Sequence, residues 1–133
     1  ISKKILITFV SFGFKYGIPI DCDIVFDVRF IPNPYYIDSM KKLTGQNQEV
    51  IDYIMGFQDT VIFIDKLRDI LEFLIPGYAK EGKHHLVIGI GCTGGRHRSV
   101  AIANQMARLL LNDENKVMVD HRDIMKDDQG KNI

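Results

Sequence analysis

The feature that most constrains this chain is a short apolar run joined to an amphipathic segment by a glycine-containing loop. Residues 85–91 (HLVIGIG) have the composition of a buried strand. Residues 98–111 place Ile102, Met106, Leu109 and Leu110 at helical spacing. Residues 92–97 between them form a tight loop, so the sequence predicts a strand, a loop and a helix in direct succession, a unit typical of layered α/β domains.

The rest of the chain repeats this alternation. Apolar runs predict strands over residues 3–10, 24–30 and 116–121, and residues 48–55 form one or two helical turns. Residues 59–80 carry the clearest helical pattern, and Pro76 predicts a kink or an end near Ile75. The order indicates an α/β layered domain, with a mostly parallel sheet of about four strands flanked by helices.

Composition limits the classes of function. The chain has 133 residues, with 17 Lys and Arg against 17 Asp and Glu, so any anion binding must come from a local cluster. We expect a single domain over residues 1–133 with a frayed tail at 127–133. No apolar run approaches the ~18 residues of a membrane span. The start lacks a leader, which we interpret as a domain excised from a longer protein.

Two cysteines are too few for a disulfide framework and indicate the reducing cytoplasm, although a single disulfide between Cys22 and Cys92 stays open. The histidines and cysteines match no zinc spacing, so we expect no metal.

The loop GCTGGRHRS has the Cys-x5-Arg-Ser spacing of a loop that curls around a tetrahedral anion. Its N–H groups form a nest, the helix start adds positive potential, and Gly94 and Gly95 allow positive φ angles. Arg98 offers a fork for two phosphate oxygens, and Ser99 caps the helix or contacts the sulfur. Cys92 lies under the anion, where the field favours its thiolate. The predicted ligand-binding residues of the loop are Cys92, Thr93, Gly94, Gly95, Arg96, His97, Arg98 and Ser99.

Two alternatives to anion binding remain. The loop is a structural glycine turn with an inert Cys92, or it belongs to a cysteine phosphatase that uses Cys92 and Arg98. A phosphatase also needs a general acid. Its candidates lie in no recognisable acid-loop motif and are Asp21, Asp23, Asp27 and Asp123. We therefore favour a binding domain over an enzyme.

The parallel sheet brings three loops to one edge, at residues 11–17, 29–36 and 92–98. Lys15 is interpreted as a second phosphate contact or a solvated lysine, and Arg29 as a crevice residue or the partner of an acid such as Asp27. Tyr35 and Tyr36 stack on a sugar or base, or pack at the rim.

Four motifs together, SFGFKYGIP, FDVRFIPNPYY, LTG and GCTGGRHRS, resemble the carboxyl-terminal domain of the RapZ/YvcJ family. The resemblance runs from about Thr8 to about Asp123. It implies a homo-oligomer and an amino-terminal P-loop domain, absent here, that binds ATP or GTP, because the chain has no GxxxxGK[ST] motif. No cofactor is expected in this domain.

The resemblance also implies a function. The enterobacterial branch is an RNase adapter that binds small RNAs and senses glucosamine-6-phosphate at the loop matching residues 92–99. The resemblance implies that the pocket residues of this chain are Cys92, Thr93, Gly94, His97 and Arg98. Looser matches to the family's pocket are Lys15, Arg29 and Asn33. The expected ligand is a phosphorylated small molecule.

This chain differs from the enterobacterial branch in two ways, one of which bears on the ligand and the other on RNA binding. Tyr35 in NPYY replaces a histidine, which leaves the ligand's identity open. Residues 112–133 hold four bases and six acids, a net of −2, instead of a basic tail. A reduced RNA surface would consist of Arg96, Arg98, His121 and Arg122, so an RNA-binding module without metabolite sensing is the third hypothesis.

Overall fold

A computed structural model describes residues 5–126 of the chain, so the predicted frayed tail at 127–133 lies outside the described residues. Short 3₁₀ turns occupy Phe14–Tyr16 and Pro34–Tyr36. The strands are β1 (Ile5–Gly13), β2 (Ile24–Asp27), β3 (His85–Cys92) and β4 (Asn115–His121). The helices are α1 (Gln48–Met55), α2 (Gln58–Lys80) and α3 (Arg98–Leu110). Within residues 5–126, no helix combines the length and apolar character needed to cross a membrane.

The four strands form one sheet in the order β2-β3-β1-β4, and every neighbouring pair is parallel. This confirms the predicted α/β architecture. In the register, Phe9 of β1 lies between Ile88 of β3 and Val119 of β4. Aligned residues of parallel strands share a face, so these three side chains point to the same side of the sheet.

The core lies on that side. One buried cluster joins alternate residues of β1 and β3 to the apolar faces of all three helices; it includes Ile7, Phe9, Leu86, Ile88, Ile54, Leu71, Ile102 and Met106. The opposite face is covered at its carboxyl end by residues 14–22. A Cβ atom on Gly89 would lie 2.8 Å from Cys22 Sγ, and one on Gly91 would lie 2.6 Å from the Phe14 ring. The two glycines therefore let this segment lie flat on β3.

Some predicted boundaries were wrong. Strand β1 continues to Gly13 because its partner β3 runs on to Cys92 beside it. Strand β2 ends at Asp27 instead of residue 30, because the Asp27 carboxylate accepts the Arg29 N–H at 2.9 Å and turns the chain.

Pro76 does not end α2, which runs through it to Lys80, so the prediction of an end near Ile75 was also wrong. A proline removes the hydrogen bond to the carbonyl four residues earlier. Here both Pro76 and Glu72 are exposed, so water can take the freed carbonyl.

Residues 40–47 lie across the start of α3. The Gly45 N–H donates to the Arg96 carbonyl at 2.9 Å. A Cβ atom on Gly45 would lie 2.4 Å from the His97 carbonyl oxygen and 2.6 Å from the Ala101 nitrogen. Only glycine fits here, because the clashing atoms are backbone.

We expect Gly45→Ala to lower the free energy of unfolding by about 3 kcal/mol, since the helix start and the 40–47 segment must separate. Gly77→Ala is the matched control, because its Cβ meets nothing within 4 Å and it lies in α2. The control should raise stability by about 0.5 kcal/mol through helix propensity. Urea denaturation measures both, and equal effects at the two sites would contradict this account.

Candidate anion-binding site

The predicted strand–loop–helix unit is present. Strand β3 ends at Cys92 and helix α3 begins at Arg98. We call residues 92–99 the 92–99 loop. The three loops expected at one edge do meet here: the Lys15 N–H donates to the Thr93 carbonyl at 3.2 Å, and Arg98 Nη1 donates to the Arg29 carbonyl at 2.9 Å.

Glycines allow the end of β1 to cross the 92–99 loop. A Cβ atom on Gly13 would lie 2.4 Å from the Gly94 carbonyl carbon, and one on Gly95 would lie 2.5 Å from the Gly13 nitrogen. Gly95 has the expected positive φ, 76°. Among the described glycines the others with a positive φ angle are Gly17 and Gly82, so the expectation for Gly94 was wrong. Gly94 instead permits close backbone packing.

Cys92 lies at the base of the loop and is 2% exposed. Its thiol donates to Ser99 Oγ at 3.2 Å, and the Gly95 N–H donates to its sulfur at 3.3 Å. Of the two predicted roles for Ser99, the structure has the contact with sulfur. Cys22 and Cys92 are both free, so the disulfide that the sequence left open is not formed.

Arg98 is buried without a direct ion-pair partner among the described residues. Its Nη1 donates to the Arg29 and Ile31 carbonyls, both at 2.9 Å, and its Nη2 donates to Thr93 Oγ1 at 3.3 Å. Its buried Nε has no hydrogen-bond partner among the described residues. Within residues 5–126 no carboxylate forms an ion pair with it.

Burial therefore lowers the pKa of the Arg98 guanidinium from its ordinary value, against the opposing influence of Cys92 and Asp27. Nε and Nη2 form the edge that an arginine uses to bind a planar or tetrahedral anion. Arg29 uses that same edge to hold Asp27, with Nε at 3.0 Å and Nη2 at 2.7 Å from Oδ2. In Arg98 this edge has only the Thr93 hydroxyl.

The start of α3 is a second source of positive potential. His97 precedes the helix, and no side chain of the described residues caps it. The N–H groups of a helix's first turn have no intrahelical acceptor, and the helix dipole favours negative charge there. The first turn of α3 therefore presents donors beside Arg98.

Arg96 and His97 point away from the loop interior. Arg96 donates through Nε to the Leu43 carbonyl at 3.1 Å and through Nη2 to the Lys42 carbonyl at 2.6 Å. His97 Nε2 lies 3.1 Å from the Met40 carbonyl oxygen, which fits a donating Nε2–H. Both side chains thus hold residues 40–43 against α3, a role that the sequence did not predict.

The outer candidates form the rim. Arg29 pairs with Asp27, and its guanidinium lies 4.0 Å from the Phe14 ring centroid. Asn33 Oδ1 accepts the Tyr35 N–H at 3.1 Å, and Lys15 Nζ lies 5.3 Å from the Tyr16 ring centroid. Arg29 is therefore both at the crevice and paired with an acid.

The two tyrosines contact each other edge to face, with ring centroids 5.4 Å apart. Tyr36 is 74% exposed, so its ring is open to solvent at the rim.

Asp123 is a buried carboxylate behind the loop. It accepts the Gly13 N–H at 2.8 Å, and it pairs with Arg122 at 2.8 Å and Lys126 at 2.7 Å. Burial acts to raise the pKa of Asp123, but the hydrogen bonds from Arg122, Gly13 and Lys126 outweigh it and lower the pKa. Asp123 fixes the end of β1 beside Gly95. From the sequence Asp123 was only a candidate general acid, because its partner Gly13 lies 110 residues away along the chain.

Two other candidate acids are also held ionised. The Arg29 hydrogen bond lowers the pKa of Asp27. Burial acts to raise the pKa of Asp23, but the hydrogen bonds from the Val87 N–H and from Lys83 outweigh it, so the pKa is lowered. A general acid needs the opposite shift to hold a proton at neutral pH. Three of the four acids proposed for a phosphatase therefore lack this property.

His121 lies in a chain of polar side chains that runs from the partly buried interior to the surface. Its Nδ1 is 2.6 Å from Ser11 Oγ, its Nε2 is 2.9 Å from Asn104 Oδ1, and Asn104 Nδ2 donates to Gln46 Oε1 at 2.8 Å. The chain links the end of β4 to the segment that covers α3.

The four basic residues expected to form a reduced RNA surface have partners within the fold. Arg98 and His121 are directed into the interior, Arg96 holds backbone carbonyls, and Arg122 pairs with Asp123. RNA binding by this surface therefore stays a prediction. Among residues 5–126, no three His, Cys, Asp or Glu side chains come together as metal ligands.

Comparison with known proteins identifies the family. The family model of the RapZ C-terminal domain matches residues 5–125. The chain belongs to this family. It is 62% identical over 122 residues to a nucleotide-binding protein of Acetivibrio thermocellus, covering 92% of this chain and 42% of that protein.

Two other relatives show similar identity and coverage. The chain is 60% identical over 130 residues to a nucleotide-binding protein of Ruminiclostridium cellulolyticum, covering 98% of this chain and 45% of that protein. It is 58% identical over 127 residues to one of Clostridium kluyveri, covering 96% and 43%. The chain thus spans less than half the length of these relatives, and the resemblance inferred from the four sequence motifs is confirmed.

Two histidines, the buried His97 and the partly buried His121, predict a stability that falls in mild acid. Burial lowers the pKa of His97, despite the Met40 carbonyl, and lowers the pKa of His121, despite Asp120. Unfolding returns them to about 6.5, so the unfolded state binds more protons as the pH falls below that value. Each histidine should contribute at most about 1.4 kcal/mol of lost stability per pH unit.

Urea denaturation at pH 7.5, 6.5 and 5.5 measures this loss. His121→Gln should reduce the loss, whereas His84→Gln, at an exposed position, should not. The assignment is wrong if both variants retain the full pH dependence.

Proposed function

We propose that this domain binds a phosphorylated metabolite at the 92–99 loop and regulates the longer protein to which it belongs. The observation that carries the proposal is the buried Arg98 guanidinium, whose Nε lacks a hydrogen-bond partner and which forms no ion pair with any described carboxylate. Burying an uncompensated charge is costly, and a bound anion would remove that cost.

A phosphate group fits the donors that converge here. It would accept from Nε and Nη2 of Arg98 and from the N–H groups at the start of α3. The Thr93 hydroxyl, now 3.3 Å from Nη2, is the third polar group at this point. Cys92 lies beneath, where its buried sulfur excludes water from the base of the loop.

The rest of the ligand would lie toward the rim formed by Lys15, Arg29, Asn33 and Tyr35. These residues offer charges, amide groups and aromatic rings suited to a sugar. The family resemblance favours an amino-sugar phosphate such as glucosamine-6-phosphate, and Tyr35 in NPYY is the residue that would alter the choice of ligand.

The name of these relatives, nucleotide-binding protein, supports a place for this domain beside a domain that binds ATP or GTP. In this proposal the phosphorylated metabolite changes how the domain contacts that neighbour or an RNA. The RNA contact is the less supported part, because the described basic residues near the loop are largely engaged internally.

A cysteine phosphatase is the second candidate. The contact between Cys92 Sγ and Ser99 Oγ favours it, since a hydroxyl at this point would stabilise a leaving thiolate. The lowered pKa values of Asp23, Asp27 and Asp123 disfavour it, because none of these carboxyls would hold a proton for the leaving group.

Calorimetric titration with inorganic phosphate and with glucosamine-6-phosphate tests the proposal. Arg98→Lys keeps the charge but removes the two-donor edge, so it should weaken binding of either ligand at least about tenfold. Arg108→Lys is the matched control, because Arg108 is exposed in the last turn of the same helix and should leave binding unchanged.

Undiminished binding in Arg98→Lys would overturn the proposal, provided that the variant unfolds as cooperatively as the parent. Phosphate release from an aryl phosphate that disappears in Cys92→Ser would instead support the phosphatase.

A further inference from the structure

One long connection of the fold is held by the 92–99 loop. Residues 28–47, all of which the structure describes, connect β2 to α1 and contain one 3₁₀ turn, Pro34–Tyr36. Connections longer than about 15 residues without regular structure are uncommon and are usually functional. The basic side chains of residues 96–98 donate to carbonyls of this connection, which are those of Arg29, Ile31, Met40, Lys42 and Leu43.

The two parts of this connection are held differently. Its first part places four side chains in the interior, those of Val28, Ile31, Pro34 and Met40. In the rest of the 40–47 segment, Leu43 is only partly buried and Gly45 is buried but has no side chain. The remaining side chains of this segment are exposed or partly exposed. Hydrogen bonds, more than apolar packing, therefore hold the segment beyond Met40 on the start of α3.

Arg96 holds the 40–47 segment with both its side chain and its backbone. Its guanidinium donates to the Lys42 carbonyl at 2.6 Å and to the Leu43 carbonyl at 3.1 Å. Its own carbonyl accepts the Gly45 N–H at 2.9 Å. The position of the segment and the orientation of the backbone at Arg96 therefore depend on each other.

The same stretch of backbone carries donors that an anion would use. Within residues 5–126, the N–H groups of Arg96 and His97 have no backbone acceptor. Successive N–H groups of a nest converge on one anion, and they do so only while their backbone keeps one conformation. Release of the 40–47 segment would free the backbone at Arg96 to rotate, so the donors would no longer converge.

We propose that the 40–47 segment is the element through which the domain signals that its ligand is bound. An anion at the 92–99 loop binds the form in which the segment lies on α3, so each stabilises the other. Without the anion the segment opens more often beyond the buried Met40, and the start of α3 becomes accessible. This inference rests on the proposed binding of phosphate and names the part of the surface that changes.

Hydrogen exchange followed by NMR tests whether the segment opens by itself. The Gly45 N–H is bonded to Arg96, so its exchange requires release of the segment. The Ile88 amide lies in β3, between two other strands, and exchanges through global unfolding. Without phosphate, Gly45 should exchange at least about tenfold faster than Ile88 once intrinsic rates are corrected. Equal rates would overturn the proposal.

Inorganic phosphate should then slow the exchange of Gly45. If the open form does not bind, the rate falls by one plus the ratio of phosphate concentration to Kd, about elevenfold at ten times Kd. The Lys83 N–H, bonded to the Tyr78 carbonyl at 3.0 Å at the end of α2, is the control and should exchange at an unchanged rate. Phosphate that binds in calorimetry but leaves Gly45 exchange unchanged would overturn this inference and leave the proposed function standing. Absence of phosphate binding would overturn both.

The reciprocal test displaces the segment and measures phosphate affinity. Gly45→Ala pushes the segment off α3 and leaves every residue of the 92–99 loop in place, so phosphate binding should weaken about tenfold or more. Gly77→Ala is the matched control and should bind like the parent, because its Cβ meets nothing within 4 Å. A folded Gly45→Ala variant with undiminished affinity would contradict the coupling. If that variant does not fold, the exchange of Gly45 in the parent chain decides the question.

Discussion

One guanidinium joins the segments that form the candidate site. Arg98 binds the carbonyls of Arg29 and Ile31 and the hydroxyl of Thr93, so it ties the loop after β2 to the loop after β3. It does so from inside the protein, 4% exposed. The oxygens that it contacts directly are all neutral, and this lack of an ion-pair partner is the reason for proposing that the 92–99 loop binds an anion.

Unlike Arg98, the neighbouring cations form ion pairs with carboxylates. Arg29 has Asp27, Lys83 has Asp23, and Arg122 and Lys126 share Asp123. Each of these carboxyls has a lowered pKa and stays ionised, so the neighbouring cations are already neutralised. Arg98 and the first turn of α3 have no such partner, which supports the proposal that they bind an anion. The same arrangement leaves these acids unsuited to donate a proton, which is why binding is favoured over phosphate hydrolysis.

The local patterns of the sequence were sufficient to predict the fold class. Apolar runs and helical spacing predicted the parallel sheet, and helix α1 falls on the predicted residues 48–55. The spacing of Cys92, Ser99 and Arg98 placed all three at the junction of β3 and α3. Pro76 misled the prediction because its effect depends on which side of α2 faces water, and that side is set by tertiary packing.

The sequence could not predict the contacts between residues that lie far apart along the chain. Asp123 with Gly13, and Arg96 with Leu43, join residues that no local pattern relates. The direction of the Arg96 and His97 side chains depends on residues 40–45 lying across α3. Only Gly45, in the LTG motif, hinted at this close approach.

The most direct test of the central claim follows the Arg98 Nε–H in ¹H–¹⁵N spectra during a phosphate titration. The account predicts a large shift of that resonance, saturating together with the amides of Ser99 and Val100, because the anion becomes the missing partner of Nε. An Nε resonance that stays in place while phosphate binds would mean that the anion lies elsewhere and that the uncompensated charge of Arg98 serves only the fold.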